Sequence, residues 1–275
     1  SHKALKGTAT TSVRNLGADF TAGYVRSTTV RRKRLGNTAK RSRRIKQLRR
    51  AGARTVGLIK TGLTPAASYA VSVTGMNNSQ LFQLRRQCRA AACNHTAGRS
   101  LFMDLALLGK KVDPAYLVNR EPIVMWCKGY WDSRLPRFWL ARAWNRAYWD
   151  MRYSKRPWSL VAGPAAAVVA TMFRIGWRAK GHDTCPSPFE WVTPFGTINI
   201  LKTCPMTVGE YVDRSTELWL WQQEAMKRPK YDHLAQGGML EPILALLRAK
   251  PVKDWGQESK LSFAQRARTA NGPRH

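Results

Sequence analysis

The chain has 275 residues, of which 44% are hydrophobic, so it can form one large or two ordinary domains with a buried core. Lysine and arginine number 47 against 16 aspartates and glutamates, which gives a formal net charge of +31. This imbalance argues against an ordinary near-neutral globular protein and indicates a polyanionic partner, above all nucleic acid.

Hydropathy and cysteine usage bear on the compartment. The longest nearly uncharged apolar run, residues 160–173, is shorter than the roughly 20 residues that span a bilayer, so we predict no membrane partner. Five cysteines, an odd number at irregular spacing, favour free thiols over a disulfide framework. We therefore expect an intracellular reducing compartment, either nuclear or cytoplasmic.

The positive charge is concentrated in the N-terminal part. Residues 1–103 contain 21 lysines and arginines and a single acid, Asp19, whereas residues 104–275 contain 26 against 15. The two parts therefore carry +20 and +11. We expect the surface that binds a polyanion to lie mainly in the first part.

A long basic helix is predicted within residues 29–60, capped by Ser27 or Thr28. Small or apolar residues recur there at three- or four-residue steps and form one narrow seam, while every other side is cationic. A charge run of one sign repels itself, so the pattern favours contact with a phosphate backbone over a merely solvated face. The seam residues are Leu35, Thr38, Ser42, Ile45 and Leu48.

The residues that we expect to contact phosphate are all cationic and lie in two places. In the basic helix and just after it they are Arg31, Arg32, Lys33, Arg34, Lys40, Arg41, Arg43, Arg44, Lys46, Arg49, Arg50, Arg54 and Lys60. On a later helix they are Arg85, Arg86 and Arg89. Phosphate contacts set position and carry no sequence information, so binding should depend steeply on salt.

The other predicted elements are mostly helices. We predict a strand over 13–20 and helices over 54–60, 65–75, 80–92, 100–108, 114–131, 137–152, 164–177, 207–228, 240–250 and 258–270, with a hairpin over 190–201. The predicted fold class is mainly α with one small β-hairpin. A boundary near residue 95 would divide a basic part from a Trp-rich helical part.

All 11 tryptophans lie between Trp126 and Trp255, and many rings alternate with arginines. Such a mixture can stack single-stranded bases, and it also occurs in a helical core whose arginines extend outward. Because the rings recur at helical steps, we favour the core and expect one or two rings at the surface. The rings are Trp126, Tyr130, Trp131, Phe138, Trp139, Trp144, Tyr148 and Trp149, and the arginines are Arg134, Arg137, Arg142, Arg146 and Arg152.

Few residues suggest metal or catalytic chemistry. Cys88, Cys93 and His95 match no standard zinc spacing, and Cys88 falls on the apolar stripe of a predicted helix. A second group lacks an evident fourth ligand: His182, Cys185 and Cys204. Nothing suggests a Ser, His and acid grouping. We predict no metal, no cofactor and no catalytic residue in this chain.

The phrase KTGLTPAASYAVSVTG has the spacing K-T-G-x-x-P-x-x-x-Y-x-x-x-x-x-G and follows the strand VRNLGADF and the basic helix. Its fixed positions are Lys60, Thr61, Gly62, Pro65, Tyr69 and Gly75. With GRSLFMDLALLG and RPWSLVAGPAAAVVATMFRIGW behind it, this order resembles the region after the catalytic palm in non-LTR-retrotransposon-type reverse transcriptases of protist retroelements. The resemblance implies a thumb-like subdomain over 1–95, which would grip an RNA template or RNA:DNA hybrid, and a post-thumb region over 96–275.

The sequence departs from that family in its acids. The family's polymerases hold two Mg²⁺ ions with adjacent aspartates, whereas this sequence has no Asp-Asp pair and Asp19 stands alone in the basic part. We therefore expect a non-catalytic portion of a polymerase, inactive alone, with Mg²⁺ bound in an upstream palm that would be its partner.

Two other classes stay open. The first is a stand-alone structural RNA-binding protein of the ribosomal or ribonucleoprotein type. The second is a peripheral membrane protein, although the basic helix lacks the wide apolar face that interfacial binding uses.

Overall fold

The computed structural model describes residues 12–15, 18–21, 26–93, 96, 98–132, 136–181, 186–227 and 234–238. This part of the chain is mainly α-helical, which confirms the predicted fold class. The predicted helices over 240–250 and 258–270 lie outside the described residues.

The first described element is a hairpin rather than the single strand predicted over 13–20. Strands β1 (Ser12–Asn15) and β2 (Ala18–Thr21) pair antiparallel, with Ser12 opposite Thr21 and Asn15 opposite Ala18. The basic helix α1 (Thr29–Arg50) follows, as predicted.

The chain after α1 is a series of short turns. Helix α2 (Val56–Leu58) runs into a π-helical turn (Ile59–Leu63), followed by α3 (Thr64–Ser68) and α4 (Val71–Thr74). The single helix predicted over 65–75 is wrong because Ala70 has a φ of 60°, a left-handed conformation that interrupts the helix. Helix α5 (Asn78–Ala92) begins at a capping box in which Asn77 and Gln80 bond to each other's backbone N–H.

The later helices agree closely with prediction. They are α6 (Leu101–Leu108), α7 (Pro114–Trp131), α8 (Arg137–Arg152), α9 (Pro164–Arg174) and α10 (Pro205–Ala225). The predicted hairpin is confirmed as β4 (Glu190–Thr193) and β5 (Gly196–Asn199), to which the two-residue strand β3 (Arg178–Ala179) adds an antiparallel edge.

Two clusters of buried side chains form the core. One joins α1, α5, α6, the first half of α7 and the end of α10, and the other joins the rest of α7 with α8, α9, the sheet and the start of α10. Leu84 and Leu105 are buried in the same cluster, although they lie on opposite sides of the boundary predicted near residue 95. The core therefore does not divide at that point, and α7 and α10 connect its two clusters.

Candidate nucleic-acid interface

Helix α1 lies against α5 along a seam of small and apolar side chains. Leu35 and Ile45 are buried, and the Ser42 hydroxyl donates to the Gln87 carbonyl at 2.8 Å. The Gln87 amide nitrogen donates in return to the Leu35 carbonyl at 3.2 Å. Together with the buried Thr38, these contacts confirm most of the predicted seam.

A carboxylate from β2 caps the N-terminus of α1. The Asp19 oxygens accept from the backbone N–H of Val30 at 3.0 and 3.1 Å and of Arg31 at 3.3 Å, and from the Ser27 hydroxyl at 3.3 Å. Asp19, and not the predicted Ser27 or Thr28 side chain, therefore satisfies the first N–H groups of the helix. Its negative charge also stabilises the positive end of the helix dipole.

The side of α1 that faces away from the seam is cationic. Its exposed lysines and arginines lie along about 27 Å of helix from Arg32 to Arg50. Leu48, predicted for the seam, is 49% exposed and lies beside them. We call the following residues the cationic face: Arg32, Lys33, Lys40, Arg41, Arg43, Arg44 and Arg50.

Within the part of the chain that the structure describes, no salt bridge joins the cationic face to a carboxylate. Acids of the later helices pair with other cations instead: Lys110 bonds Glu217 at 2.6 Å, and Arg120 bonds Asp213 at 2.5 Å. These acids therefore do not neutralise the cationic face.

Arg31, predicted to contact phosphate, is instead buried, with 4% of its surface exposed. Its guanidinium donates to the Ala67 carbonyl at 2.9 Å and to the Thr74 hydroxyl at 2.7 Å. Burial lowers the pKa of Arg31 to about 10. Because this pKa is still well above neutral pH, the guanidinium group stays protonated. These bonds hold α1 against α3 and α4, and we remove Arg31 from the predicted interface.

Two further arginines donate to carbonyl groups at and just after the end of α4. Arg26 donates to the Thr74 and Gly75 carbonyls, both at 2.6 Å, and Arg174 donates to the Met76 carbonyl. Burial lowers the pKa of Arg26 to about 10 and that of Arg174 to about 9. Carbonyl oxygens at and after the end of α4 thus accept from these guanidinium groups, where helix dipoles favour positive charge.

Arg85, also predicted to contact phosphate, forms a buried ion pair with Asp113. Its Nε lies 2.9 Å from Oδ1 and its Nη2 lies 2.7 Å from Oδ2, and both side chains are 2% exposed. Asp113 also caps α7 by accepting from the Ala115 N–H at 3.0 Å. Arg85 therefore connects α5 to α7, and we remove it from the predicted interface as well.

The other predicted residues remain accessible to different degrees. Arg34 is half-buried, with its guanidinium 4.4 Å from the Tyr69 ring centroid and donating to the Tyr69 carbonyl at 3.1 Å. Arg89 is half-buried and donates to the Arg99 carbonyl at 3.1 Å. Lys46 and Arg49 are half-buried, and the exposed ones are Arg54, Lys60 and Arg86.

Tertiary packing brings Arg86 and Arg89 to a groove of about 600 Å³ between α5, α6 and α10. Two cations that were not predicted from the sequence also line this groove, Arg99 before α6 and Lys227 after α10. Phe82 supplies an aromatic wall. No local pattern could have joined these residues, because they come from three separate stretches of chain.

The aromatic residues divide between core and surface. Trp126, Tyr130, Trp144 and Tyr148 are buried, as predicted. More rings are exposed than the one or two that we expected, and the large exposed ones on α7 and α8 are Trp131, Phe138, Trp139 and Trp149.

The structure gives little support to a metal site. Among the described residues, no three His, Cys, Asp or Glu side chains gather as metal ligands would. Cys88 is buried 3.7 Å from the Thr64 hydroxyl, and burial raises the pKa of its thiol to about 12. His95, His182 and Cys185 lie outside the described residues.

Comparison of the chain with protein-family models, with curated proteins and with solved structures gives no match. Of the helices that the structure describes, none has both the length and the apolar content needed to cross a membrane.

Proposed function

We propose that the chain binds nucleic acid through phosphate contacts made by the cationic face of α1. One observation carries the proposal: α1 is fixed by its seam and by Asp19 at its end, while the opposite side presents arginines and lysines without an ion-pair partner among the described residues. Such a surface attracts a polyanion and repels itself when no polyanion is bound.

Binding would proceed by exchange of counterions. Double-stranded DNA carries one charge per about 1.7 Å of axis, so a face about 27 Å long spans many phosphates. Each lysine or arginine that neutralises a phosphate releases condensed cations, which supplies affinity that falls as salt rises. Because phosphate contacts set position and carry no sequence information, the binding proposed is weakly selective for sequence.

A finer proposal concerns origin. On the resemblance alone, the chain would be the non-catalytic thumb and C-terminal region of a retroelement reverse transcriptase, which grips an RNA template or RNA:DNA hybrid while an upstream palm holds Mg²⁺. A stand-alone structural RNA-binding protein is the alternative. An upstream coding sequence with an Asp-Asp palm supports the first, and primer extension by this chain alone contradicts its non-catalytic role.

The experiment is a salt titration of binding, measured by fluorescence anisotropy with labelled RNA and with an RNA:DNA hybrid. The variant Arg43→Gln, Arg44→Gln, Arg50→Gln should bind all sequences more weakly. On a single strand its slope of log K against log salt should be shallower by about 2, because each lost contact removes about 0.7.

A matched control removes the same charge elsewhere. Lys111→Gln, Arg178→Gln, Lys202→Gln changes three exposed cations outside α1 and should keep the parent slope. The α1 variant should also be at least as stable as the parent, because each like-charge pair removed at i,i+3 or i,i+4 relieves about 0.2–0.5 kcal/mol. Equal losses of affinity in the two variants would mean that net charge, and not the cationic face of α1, governs binding.

A further inference from the structure

The outer side of α8 carries large aromatic rings in solvent. Phe138 is 66% exposed, Trp139 58%, Trp149 41% and Tyr153 77%. Burying one such ring would favour folding by about 1.5–3 kcal/mol, and monomeric proteins rarely display several together. The inner side of α8 is already filled by Trp144 and its neighbours, so these rings are additional to the core.

The rings lie in one strip together with arginines. Phe138, Arg142, Trp149 and Tyr153 are spaced four, seven and four residues apart, which places them on one side of the helix over about 22 Å. The Arg142 guanidinium lies 5.8 Å from the Trp139 ring centroid. The strip therefore places a positive charge among its rings.

The charge of the strip is positive. Arg152 lies 5.5 Å from the Trp149 ring centroid and 5.0 Å from that of Tyr153. The acid on this side, Asp150, is paired with Arg146 at 3.1 Å. Guanidinium groups thus lie beside three of the exposed rings, those of Trp139, Trp149 and Tyr153.

We propose that this face of α8 is a stacking platform for a single-stranded stretch of nucleic acid, with bases on Trp139, Trp149 and Tyr153 and phosphates beside Arg142. Exposed rings flanked by cations are the usual means of holding unpaired bases without reading their sequence. A duplex does not fit, because its bases are already stacked on each other. The site lies outside the cationic face of α1 and rests on the proposed function for the class of its ligand.

An anionic membrane is the rival partner, and the geometry disfavours it. An interfacial helix keeps its charges on the face opposite its apolar residues. On α8 that opposite face is packed in the core, and Arg142 lies between Phe138 and Trp149. Insertion of these rings into lipid would bury the guanidinium group.

The test uses the whole chain and the variant Trp139→Ala, Trp149→Ala, Tyr153→Ala, which removes rings and no charge. Its affinity for single-stranded RNA should fall roughly tenfold or more for each ring that stacks a base. Affinity for duplex RNA of the same length and the salt slope on both should stay at parent values. The control variant Met125→Ala, Met206→Ala removes exposed apolar side chains from α7 and α10 and should bind as the parent does.

The outcomes separate this proposal from the α1 proposal. The α1 variant should lower the salt slope for single-stranded and duplex RNA alike, whereas the ring variant should lower the affinity for single-stranded RNA and leave the affinity for duplex RNA unchanged. Trp139→Phe, Trp149→Phe retains stacking surfaces and should restore most of the affinity. Unchanged single-strand affinity in the triple variant, or equal loss on duplex, overturns the platform. So does ring-dependent binding to phosphatidylserine vesicles with RNA binding intact.

Discussion

Replacing Asp113 by Asn tests whether Arg85 is a structural residue rather than a phosphate contact. The substitution keeps an oxygen that can cap α7 and keeps the shape of the side chain, but it removes the negative charge that faces a guanidinium with 2% exposure. Loss of one partner from a buried ion pair costs about 3–5 kcal/mol because the other charge stays buried without compensation.

The expected effect is large compared with the stability of the protein. Native chains unfold at a cost of about 5–15 kcal/mol, so roughly a fifth or more of the total free energy of unfolding is at stake. For a chain of this size 1 kcal/mol moves the melting temperature by about 2–4 °C, which predicts a decrease of roughly 6–20 °C. Circular dichroism melts with urea titration would measure both quantities.

An exposed pair of the same chemistry provides the control. Asp150→Asn breaks the pair between Arg146 and Asp150, whose side chains are 72% and 46% exposed, and should cost about 0.3–0.5 kcal/mol. Arg85→Met combined with Asp113→Asn should be less destabilised than the two single changes added together. At a temperature where it is folded, Arg85→Met should bind RNA as the parent does. The reasoning fails if Asp113→Asn costs no more than Asp150→Asn.

Three further predictions concern backbone, thiols and alkaline pH. Gly75→Ala should lower the free energy of unfolding, measured by urea titration, by about 2–5 kcal/mol, because its φ is 56° and the new Cβ would lie 2.8 Å from a tryptophan ring atom. The control Gly52→Ala has a φ of 90° and open space around it, so it should lower the free energy of unfolding by about 1–2 kcal/mol. Iodoacetamide at pH 8 should modify the exposed Cys204 and spare Cys88, because burial raises the pKa of the Cys88 thiol to about 12. Peptide mass spectrometry of the protein labelled in its native state measures both modifications, and labelling of Cys88 before Cys204 would contradict the prediction. Burial also raises the pKa of Tyr116, so the tyrosine loses its proton at a lower pH in the unfolded state than in the folded state. The free energy of unfolding should therefore decrease above about pH 10, and this decrease should be smaller in Tyr116→Phe when unfolding is measured as a function of pH.

The sequence predicts the helices and most of the α1 seam because both follow from local periodicity. Arg31 also carried a local signal: it precedes Leu35 by four residues and Thr38 by seven, so it belongs to the buried side of the helix. Arg85 lies four residues after Leu81 and three before Cys88 on the buried stripe of α5. Both residues were nevertheless predicted at the surface, because arginine is charged.

Periodicity could not predict which groups Arg85 and Arg31 bond to. Asp113 lies 28 residues beyond Arg85, and the carbonyl groups that receive Arg31 become available because Ala70 interrupts the chain with a positive φ. The exposed rings of α8 were missed for a similar reason. Helical spacing shows that rings share a side, but only tertiary packing decides which side another helix covers.

The placement of Asp19 stabilises a helix rich in like charge without neutralising its exposed side. A carboxylate along the exposed side of α1 would relieve repulsion and would also compete with phosphate for the same guanidinium groups. At the N-terminus, Asp19 instead accepts from the N–H groups of Val30 and Arg31 and leaves that side open. Arg49 and Arg50 in the last turn suit the negative end of the dipole. Helix α1 is thus stabilised along its seam and at its two ends, and among the described residues no carboxylate pairs with its cationic face, which the nucleic-acid binding proposed above requires.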